Sequence, residues 1–168
     1  MKDIHDRLVA IEMVIFDVDG VLTDGTTIVD SEGKEALRFD VQDGYGMFRG
    51  YRAGLTYAII TGRSLKAVEH RARGLRIERV YLGQKIKQEA FADLVEQSGL
   101  DPSAMAYMGD DLNDIKVMEQ VGVSCAVANA RPEVKEIADV VTDARGGYGA
   151  AREFLEMIIA ARGGVDTP

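Results

Sequence analysis

The chain has 168 residues, of which 46% are hydrophobic and 29% charged, and its formal net charge is −8 at pH 7. This length and composition are typical of a soluble globular protein, so we expect a single domain over residues 1–168. The negative charge argues against nonspecific nucleic-acid binding, which depends on basic surfaces. We find no signal peptide or membrane-spanning stretch, and the one cysteine excludes an internal disulfide. These features predict a cytoplasmic protein.

Predicted strands and helices alternate along the chain. The predicted strands are 13–18, 26–29, 36–39, 55–60, 79–82, 105–108, 123–127 and 140–142. The predicted helices are 43–52, 64–73, 86–97, 111–120, 132–137 and 148–161. The alternation indicates an α/β fold with a doubly wound, mostly parallel sheet. The second and third strands flank a turn that contains glycine and predict a β-hairpin. We expect residues 163–168 to form a flexible tail.

The most informative stretch is the end of the first predicted strand, where an apolar run gives way to Asp17, Val18, Asp19 and Gly20. The carboxyl ends of parallel strands form the crevice in which α/β proteins bind ligands, so both acids are expected there. Two carboxylates this close repel each other unless a cation or a shared proton compensates. The segment therefore predicts a divalent metal and chemistry on a phosphate.

Further polar clusters follow other predicted strands and precede helices. They are Thr61 with Gly62, then Lys87, and then the acidic group Asp110, Asp111 and Asp114. Each has a simpler explanation by itself, because hydroxyls and acids are common at helix N-termini and a lysine there is usually a solvated charge. Their coincidence at strand ends favours one shared site, in which exposed amides at a helix N-terminus suit an oxyanion.

The order of these motifs resembles that of the haloacid dehalogenase superfamily of phosphohydrolases. The matching segments are D-x-D-G at 17–20, T-G-R at 61–63, the helix-opening Lys87, and G-D-D-x-x-D at 109–114. The resemblance covers nearly the whole chain. It implies a Rossmann-like core in which the four motifs meet.

A narrower resemblance lies in segments 39–46, 83–87 and 146–153, which are similar to the 3-deoxy-D-manno-octulosonate 8-phosphate phosphatases. One departure is Tyr148, where many members of that family have arginine. The resemblance implies no cap domain and a homotetramer in which a neighbouring subunit helps to close each active site. The predicted hairpin is expected to form a small flap over the site, with a simple edge hairpin as an equal alternative.

The resemblance also assigns roles to the two acidic clusters. Asp17 would be the nucleophile that forms an aspartyl-phosphate, and Asp19 would act as general acid and then general base. Mg²⁺ would bind the Asp17 carboxylate, the Asp19 backbone carbonyl and Asp110. Asp111 and Asp114 would support this shell directly or through water, and the sequence does not rank them.

The remaining implied roles concern the substrate. Thr61, Gly62 and Lys87 would hold the phosphate oxygens and stabilise charge during transfer. Arg63 and Arg71, eight residues apart, would share roughly one helix face and bind the carboxylate of a keto-sugar acid. For Arg71, a salt bridge at a subunit interface is an equal alternative. The implied activity is Mg²⁺-dependent hydrolysis of 3-deoxy-D-manno-octulosonate 8-phosphate, which feeds lipopolysaccharide inner-core synthesis.

Other classes fit less well or stay open. A calcium EF-hand needs a later glycine, a terminal glutamate and flanking helices, whereas here a strand precedes the acids. A phospho-receiver domain would not need Asp19 beside its phosphate acceptor. Two alternatives remain: a phosphatase of nine-carbon keto-sugar acid 9-phosphates, and a noncatalytic oligomerisation module of sugar-nucleotide synthesis.

Overall fold

The computed structural model describes residues 3–164. Its strands are β1 (Met13–Phe16), β2 (Ile28–Val29), β3 (Glu35–Ala36), β4 (Thr56–Ile60), β5 (Arg79–Tyr81), β6 (Met105–Gly109), β7 (Val123–Ala126) and β8 (Val140–Val141). Its helices are α1 (Ile4–Ala10), α2 (Val41–Arg52), α3 (Lys66–Gly74), α4 (Lys87–Ser98), α5 (Ile115–Met118), α6 (Pro132–Ile137) and α7 (Ala150–Ala161). The expected tail at 163–168 lies mostly outside the described residues.

Six strands form one parallel sheet in the order β5-β4-β1-β6-β7-β8. Every residue of β1, β6 and β7 is buried, as expected for strands covered by helices on both faces. The predicted mostly parallel α/β sheet is therefore confirmed. Among the described residues, no helix has the length and apolar character needed to cross a bilayer.

The predicted hairpin is also confirmed, although its strands are short. β2 and β3 pair antiparallel with each other and not with the main sheet. Ile28 and Val29 on β2 are 60% and 58% exposed, respectively. Two short strands alone have little independent stability, so the contacts at the base of the hairpin matter for its position.

Several predicted boundaries were wrong for identifiable reasons. Helix α1 was not predicted. In the structure, Arg7 of α1 donates two hydrogen bonds to the carboxylate of Asp139, at 2.8 and 2.6 Å. Helix α5 is much shorter than the predicted helix 111–120, because the backbone before it folds as a loop around Asp114. Helix α7 begins only at Ala150, because the backbone just before it has positive φ angles.

The long helices α2 and α7 pack against each other, and one buried acid lies where they meet. Asp43, in the first turn of α2, is 3% exposed, and its Oδ1 accepts the N–H of Arg152 at 3.0 Å. Its Oδ2 has no hydrogen-bond partner among the described residues. Burial is the main reason that the pKa of Asp43 rises from 3.8 to about 6.

We predict that Asp43→Asn stabilises the protein at pH 8 but not at pH 4. A raised folded-state pKa means that the charged form costs stability above about pH 6, and that this cost disappears below the unfolded pKa of 3.8. Asparagine keeps the acceptor for Arg152 without a charge, and a gain of roughly 1–2 kcal/mol at pH 8 is expected. Denaturant unfolding at both pH values measures the difference, with the exposed-acid variant Asp6→Asn as control. An equal effect at the two pH values would contradict the prediction.

Candidate active site

The residues after β1 form a tight loop at the carboxyl end of the sheet, here called the β1 loop (residues 17–25). Asp17 follows β1 directly, is 5% exposed, and accepts the N–H of Val18 at 2.6 Å. A wide helical turn over Val18–Leu22 follows. In it Gly20 has a φ of +81°, a backbone angle that residues other than glycine rarely adopt. The backbone therefore fixes where the Asp17 carboxylate points.

Thr23 holds the β1 loop together from inside. This buried side chain donates to the Val18 carbonyl at 3.2 Å. It also accepts the N–H groups of Gly20 at 3.4 Å and Gly25 at 3.3 Å. Sequence analysis did not single out Thr23, although its place three residues after Gly20 was a signal for a hydroxyl that closes a turn.

Lys87 joins two carboxylates from different strand ends. It opens α4 and is 1% exposed, and its Nζ lies 2.9 Å from Asp17 Oδ2 and 2.6 Å from Asp114 Oδ1. The pKa of Lys87 is raised: burial lowers it, but Asp17 and Asp114 together outweigh burial. Lys87 is thus a buried ammonium that lies against the carboxylates rather than a solvated surface charge.

Asp114 is saturated with hydrogen-bond donors. Its Oδ1 accepts from Lys87 and from the hydroxyl of Tyr107 at 2.7 Å. Its Oδ2 accepts the backbone N–H groups of Asp110 at 3.0 Å and Asp111 at 3.2 Å. Asp114 therefore shapes the loop that carries Asp110. Sequence analysis missed Tyr107, because a tyrosine inside an apolar strand gives no signal of its polar partner.

The carboxylates of Asp17, Asp110 and Asp114 each place an oxygen within 4.8 Å of the others. Burial, followed by repulsion from Asp114, raises the pKa of Asp17 to about 7. Burial, followed by repulsion from Asp17, raises the pKa of Asp110 to about 8. A divalent cation would relieve this repulsion, and carboxylate oxygens are the hard ligands that Mg²⁺ prefers.

Gly20 makes room for this cluster. A Cβ at Gly20 would overlap the carboxylate of Asp110, so only glycine lets the β1 loop approach that side chain. The residues present therefore fit a Mg²⁺ ion between the β1 loop and the loop after β6. Asp111 is exposed, and its Oδ1 accepts the N–H of Leu112 at 2.7 Å. Of Asp111 and Asp114, only Asp114 contributes a carboxylate oxygen to the cluster.

The acidic cluster opens into a cavity of about 260 Å³. It is lined by Asp17, Asp19, Gly20, Gly25, Thr61, Gly62, Asp110, Asp111 and Asn113. Lys87 and Asp114 lie behind this lining and are buried. A larger cavity of about 600 Å³ lies against α3 and β5 and contains none of the predicted site residues. Thr61, Gly62 and all the predicted aspartates except Asp114 thus surround one opening.

Asp19 and Arg63 face each other at the edge of this opening. Arg63 Nε lies 3.7 Å from Asp19 Oδ2, and its guanidinium donates to Thr27 Oγ1 at 2.9 Å. Arg63 also forms an ion pair with Glu35 of β3. Burial raises the pKa of Asp19, and the positive charge of Arg63 opposes that rise. Arg63 therefore links the hairpin to Asp19, which lines the cavity.

The structure does not bring Arg71 to the same place. The expectation that Arg63 and Arg71 share a helix face was wrong, because α3 begins only at Lys66 and Arg63 lies in the preceding turn. Arg71 donates to the Asp40 carbonyl at 2.9 Å, and its guanidinium lies 5.7 Å from the centre of the Phe39 ring. Within this chain it positions the segment before α2.

Tyr148, which departs from the family pattern, also pairs with an arginine. Its ring is exposed, and the guanidinium of Arg38 lies 4.4 Å from the ring centre. The same guanidinium donates to Asp24 Oδ2 at 3.1 Å and to the Gly147 carbonyl at 3.2 Å. Arg38 therefore fixes the residues after the hairpin to the β1 loop and to the turn before α7.

Comparisons with known proteins agree with this geometry. Residues 80–153 match the model of the haloacid dehalogenase-like hydrolase family. A 3-deoxy-D-manno-octulosonate 8-phosphate phosphatase of Escherichia coli is 44% identical over 98% of this chain and 87% of its own length. The chain belongs to this phosphatase family.

Solved structures of the phosphatase family share the fold. The enzyme of Yersinia pestis superposes with a TM-score of 0.94 and 41% identity, over 96% of this chain and 88% of its own. The enzyme of Moraxella catarrhalis superposes with a TM-score of 0.93 and 39% identity, over 97% and 94% of the two chains. That structure is a complex with a magnesium ion, a phosphate ion and 3-deoxy-D-manno-octulosonate.

We predict that Lys87→Met destabilises the protein by about 3 kcal/mol, because removing one partner leaves two carboxylates buried without compensation. Adding Asp114→Asn should restore at least half of this loss, since one of the unpaired charges is then gone. Denaturant unfolding of the single and double variants tests this, with the exposed Lys85→Met as control. A Lys87→Met variant as stable as the parent would show that the buried ion pairs contribute nothing to the fold.

Proposed function

We propose that this chain is a Mg²⁺-dependent phosphatase that hydrolyses 3-deoxy-D-manno-octulosonate 8-phosphate to 3-deoxy-D-manno-octulosonate and phosphate. The observation that carries the proposal is the pair Asp17 and Asp19 at one cavity, with Lys87 bound to the first carboxylate at 2.9 Å. Its relatives of that name and the magnesium complex of one of them support it. The product would enter lipopolysaccharide inner-core synthesis, and we place the protein, as a single hydrolase domain over residues 1–168, in the cytoplasm.

Asp17 would be the nucleophile. Its Oδ1 is occupied by the Val18 N–H and its Oδ2 by Lys87, so the carboxylate is held in one orientation beside the cavity. Attack of a carboxylate oxygen on phosphorus gives an aspartyl-phosphate and releases the sugar oxygen. Mg²⁺ bound by Asp17, Asp110 and the Asp19 backbone carbonyl would neutralise negative charge on the phosphate oxygens and on the acids.

Asp19 would act as acid and base. Its raised pKa, caused mainly by burial, suits a carboxyl that gives a proton to the departing sugar oxygen. Once deprotonated, the same carboxylate can take a proton from the water that hydrolyses the aspartyl-phosphate. Arg63, 3.7 Å away, limits how far that pKa rises.

Thr61, Gly62 and Lys87 would bind the phosphate. Thr61 directly follows β4, the strand next to β1, and is buried, and its Oγ1 accepts the Arg63 N–H at 3.3 Å, which leaves its hydroxyl proton for an oxyanion. Gly62 is exposed and lines the cavity. Lys87 supplies the positive charge that stabilises the transferring phosphoryl group.

Leaving-group recognition would involve Arg63. Its guanidinium lies at the edge of the cavity and can form forked hydrogen bonds to a carboxylate. In this structure Glu35 and Asp19 already contact it, so the carboxylate of a keto-sugar acid would compete with Glu35. Arg71 does not line this cavity, so its alternative role, a salt bridge at a subunit interface, is the one that we propose for it.

The test compares substrates. Purified protein with Mg²⁺ should release phosphate from 3-deoxy-D-manno-octulosonate 8-phosphate with a higher kcat/KM than from nine-carbon keto-sugar acid 9-phosphates. A preference for the nine-carbon acids would overturn the substrate and leave the chemistry standing. Absence of turnover with every sugar phosphate and with p-nitrophenyl phosphate would favour the noncatalytic oligomerisation module.

We predict that Asp17→Asn lowers kcat by at least about a thousandfold on every phosphate ester, because an amide cannot form the acyl-phosphate bond. The variant should remain folded, since burial already disfavours the charge of Asp17. Phosphate release and thermal unfolding measure both effects, with Asp6→Asn as the matched control. Activity near that of the parent would exclude Asp17 as the nucleophile.

The proposed assembly is a homotetramer in which hairpins of neighbouring subunits close the active sites. The exposed apolar side chains of Ile28 and Val29 support this, because an isolated hairpin does not normally present them to water.

We predict that Val29→Asp disrupts the tetramer and lowers kcat/KM for the sugar phosphate by about tenfold or more, because a charge on the hairpin opposes burial at the interface. Val9→Asp is the matched control, since Val9 is 42% exposed on α1. Light scattering and steady-state kinetics measure the two effects. A Val29→Asp variant that keeps the parent's mass and kcat/KM would contradict the proposed interface.

A further inference from the structure

The β1 loop rests on the backbone of a distant turn, here called the glycine turn (residues 146–147), which precedes α7. The Gly147 N–H donates to the Val21 carbonyl at 2.9 Å. A Cβ at Gly146 would overlap the Gly20 carbonyl, and a Cβ at Gly147 would overlap the backbone at 23–24. Gly147 also has a φ of +69°. The two backbones are therefore in direct contact, and a shift of the glycine turn must move the β1 loop.

Two side chains contact the glycine turn, and one of them is Arg38, which donates to the Gly147 carbonyl at 3.2 Å. Asn129, in the loop after β7, accepts the N–H of Gly146 through Oδ1 at 2.9 Å. Two residues further on, the Arg131 N–H donates to the Asp110 carbonyl at 2.9 Å. The loop after β7 thus contacts the backbone of Asp110 at one point and the support of the β1 loop at another. Asn129 does not line the cavity.

We propose that Asn129 is a positioning residue for phosphoryl transfer: by holding the glycine turn, it fixes the β1 loop relative to Asp110. The proposal rests on the phosphatase function described above. Asp17 and Asp19 follow β1, whereas Asp110 follows β6, so their relative placement depends on contacts between loops as well as on the sheet. A misplacement of about 1 Å in reacting groups costs up to about a hundredfold in rate.

A neighbouring hydrogen bond separates this role from general stabilisation. Thr142, in the segment between β8 and the glycine turn, is buried and donates to the Ala144 carbonyl at 2.8 Å. This bond stabilises the same segment but makes no contact with Gly146 or with the β1 loop. Thr142→Val removes the hydroxyl while keeping the shape of the side chain, and it is therefore the matched control.

The test measures kcat and KM of Asn129→Ala, Asn129→Asp and Thr142→Val with Mg²⁺, on 3-deoxy-D-manno-octulosonate 8-phosphate and on p-nitrophenyl phosphate. Asn129→Ala should lower kcat about tenfold or more on both esters, with KM within about twofold, because the phosphoryl-transfer groups are displaced and the leaving-group contacts are not. Asn129→Asp keeps the acceptor oxygen and should recover kcat to within about threefold of the parent. Thr142→Val should keep the parent's kcat even where its Tm falls as far as that of Asn129→Ala.

An unchanged kcat in Asn129→Ala, a failure of aspartate to recover it, or an equal loss in Thr142→Val would each overturn the proposal. Measurements on p-nitrophenyl phosphate separate a failure of this proposal from a wrong assignment of the sugar-acid substrate. A parent enzyme that hydrolyses only p-nitrophenyl phosphate refutes the sugar-acid assignment while the three variants still decide the role of Asn129. A parent enzyme without activity on either ester overturns both.

Discussion

The site depends on the ion pairs that the buried ammonium of Lys87 forms with Asp17 and Asp114. The cluster behind the cavity contains three carboxylates, Asp17, Asp110 and Asp114, and Lys87 contacts two of them. One lysine cannot neutralise three carboxylates, so the pKa values of Asp17 and Asp110 are raised and the cluster has an affinity for a further cation. In a chain with a net charge of −8, the approach of a phosphate would therefore need a bound cation as well as Lys87 to offset these carboxylates.

The parallel sheet explains why residues so far apart in sequence meet. Strand β1 pairs with β4 on one side and β6 on the other, with Phe16 opposite Ile59 and Met108. Asp17 lies one residue beyond Phe16, and Thr61 and Asp110 lie two residues beyond Ile59 and Met108, so all three emerge at one edge of the sheet. The pairing of the strands determines which residues emerge side by side, but it does not determine the exact positions of their side chains. The finer placement comes from loops that support one another, as the glycine turn supports the β1 loop.

The sequence predicted the features that depend on strand ends and failed where tertiary contacts decide. The alternation of apolar runs with acids was enough to place Asp17, Asp19 and Asp110 at one edge, because parallel strands leave few other arrangements. The burial of Lys87 could not be read from its neighbours, since a lysine at a helix start is usually solvated. Arg71 was misplaced because the helix was predicted from residue 64, directly after Arg63, whereas α3 begins at Lys66, and an error at a helix end changes which residues share a face.

The contact between Arg38 and Tyr148 places a positive charge where the chain departs from the pattern that the resemblance implies. That pattern has arginine at the position of Tyr148, so this position by itself would indicate that the chain lacks a positive charge there. In space the charge is present, because the Arg38 guanidinium lies 4.4 Å from the centre of the Tyr148 ring. A positive charge near position 148 can thus come from another segment of the chain. The charge there is therefore better judged from the arrangement of side chains in three dimensions than from the residue at this one position.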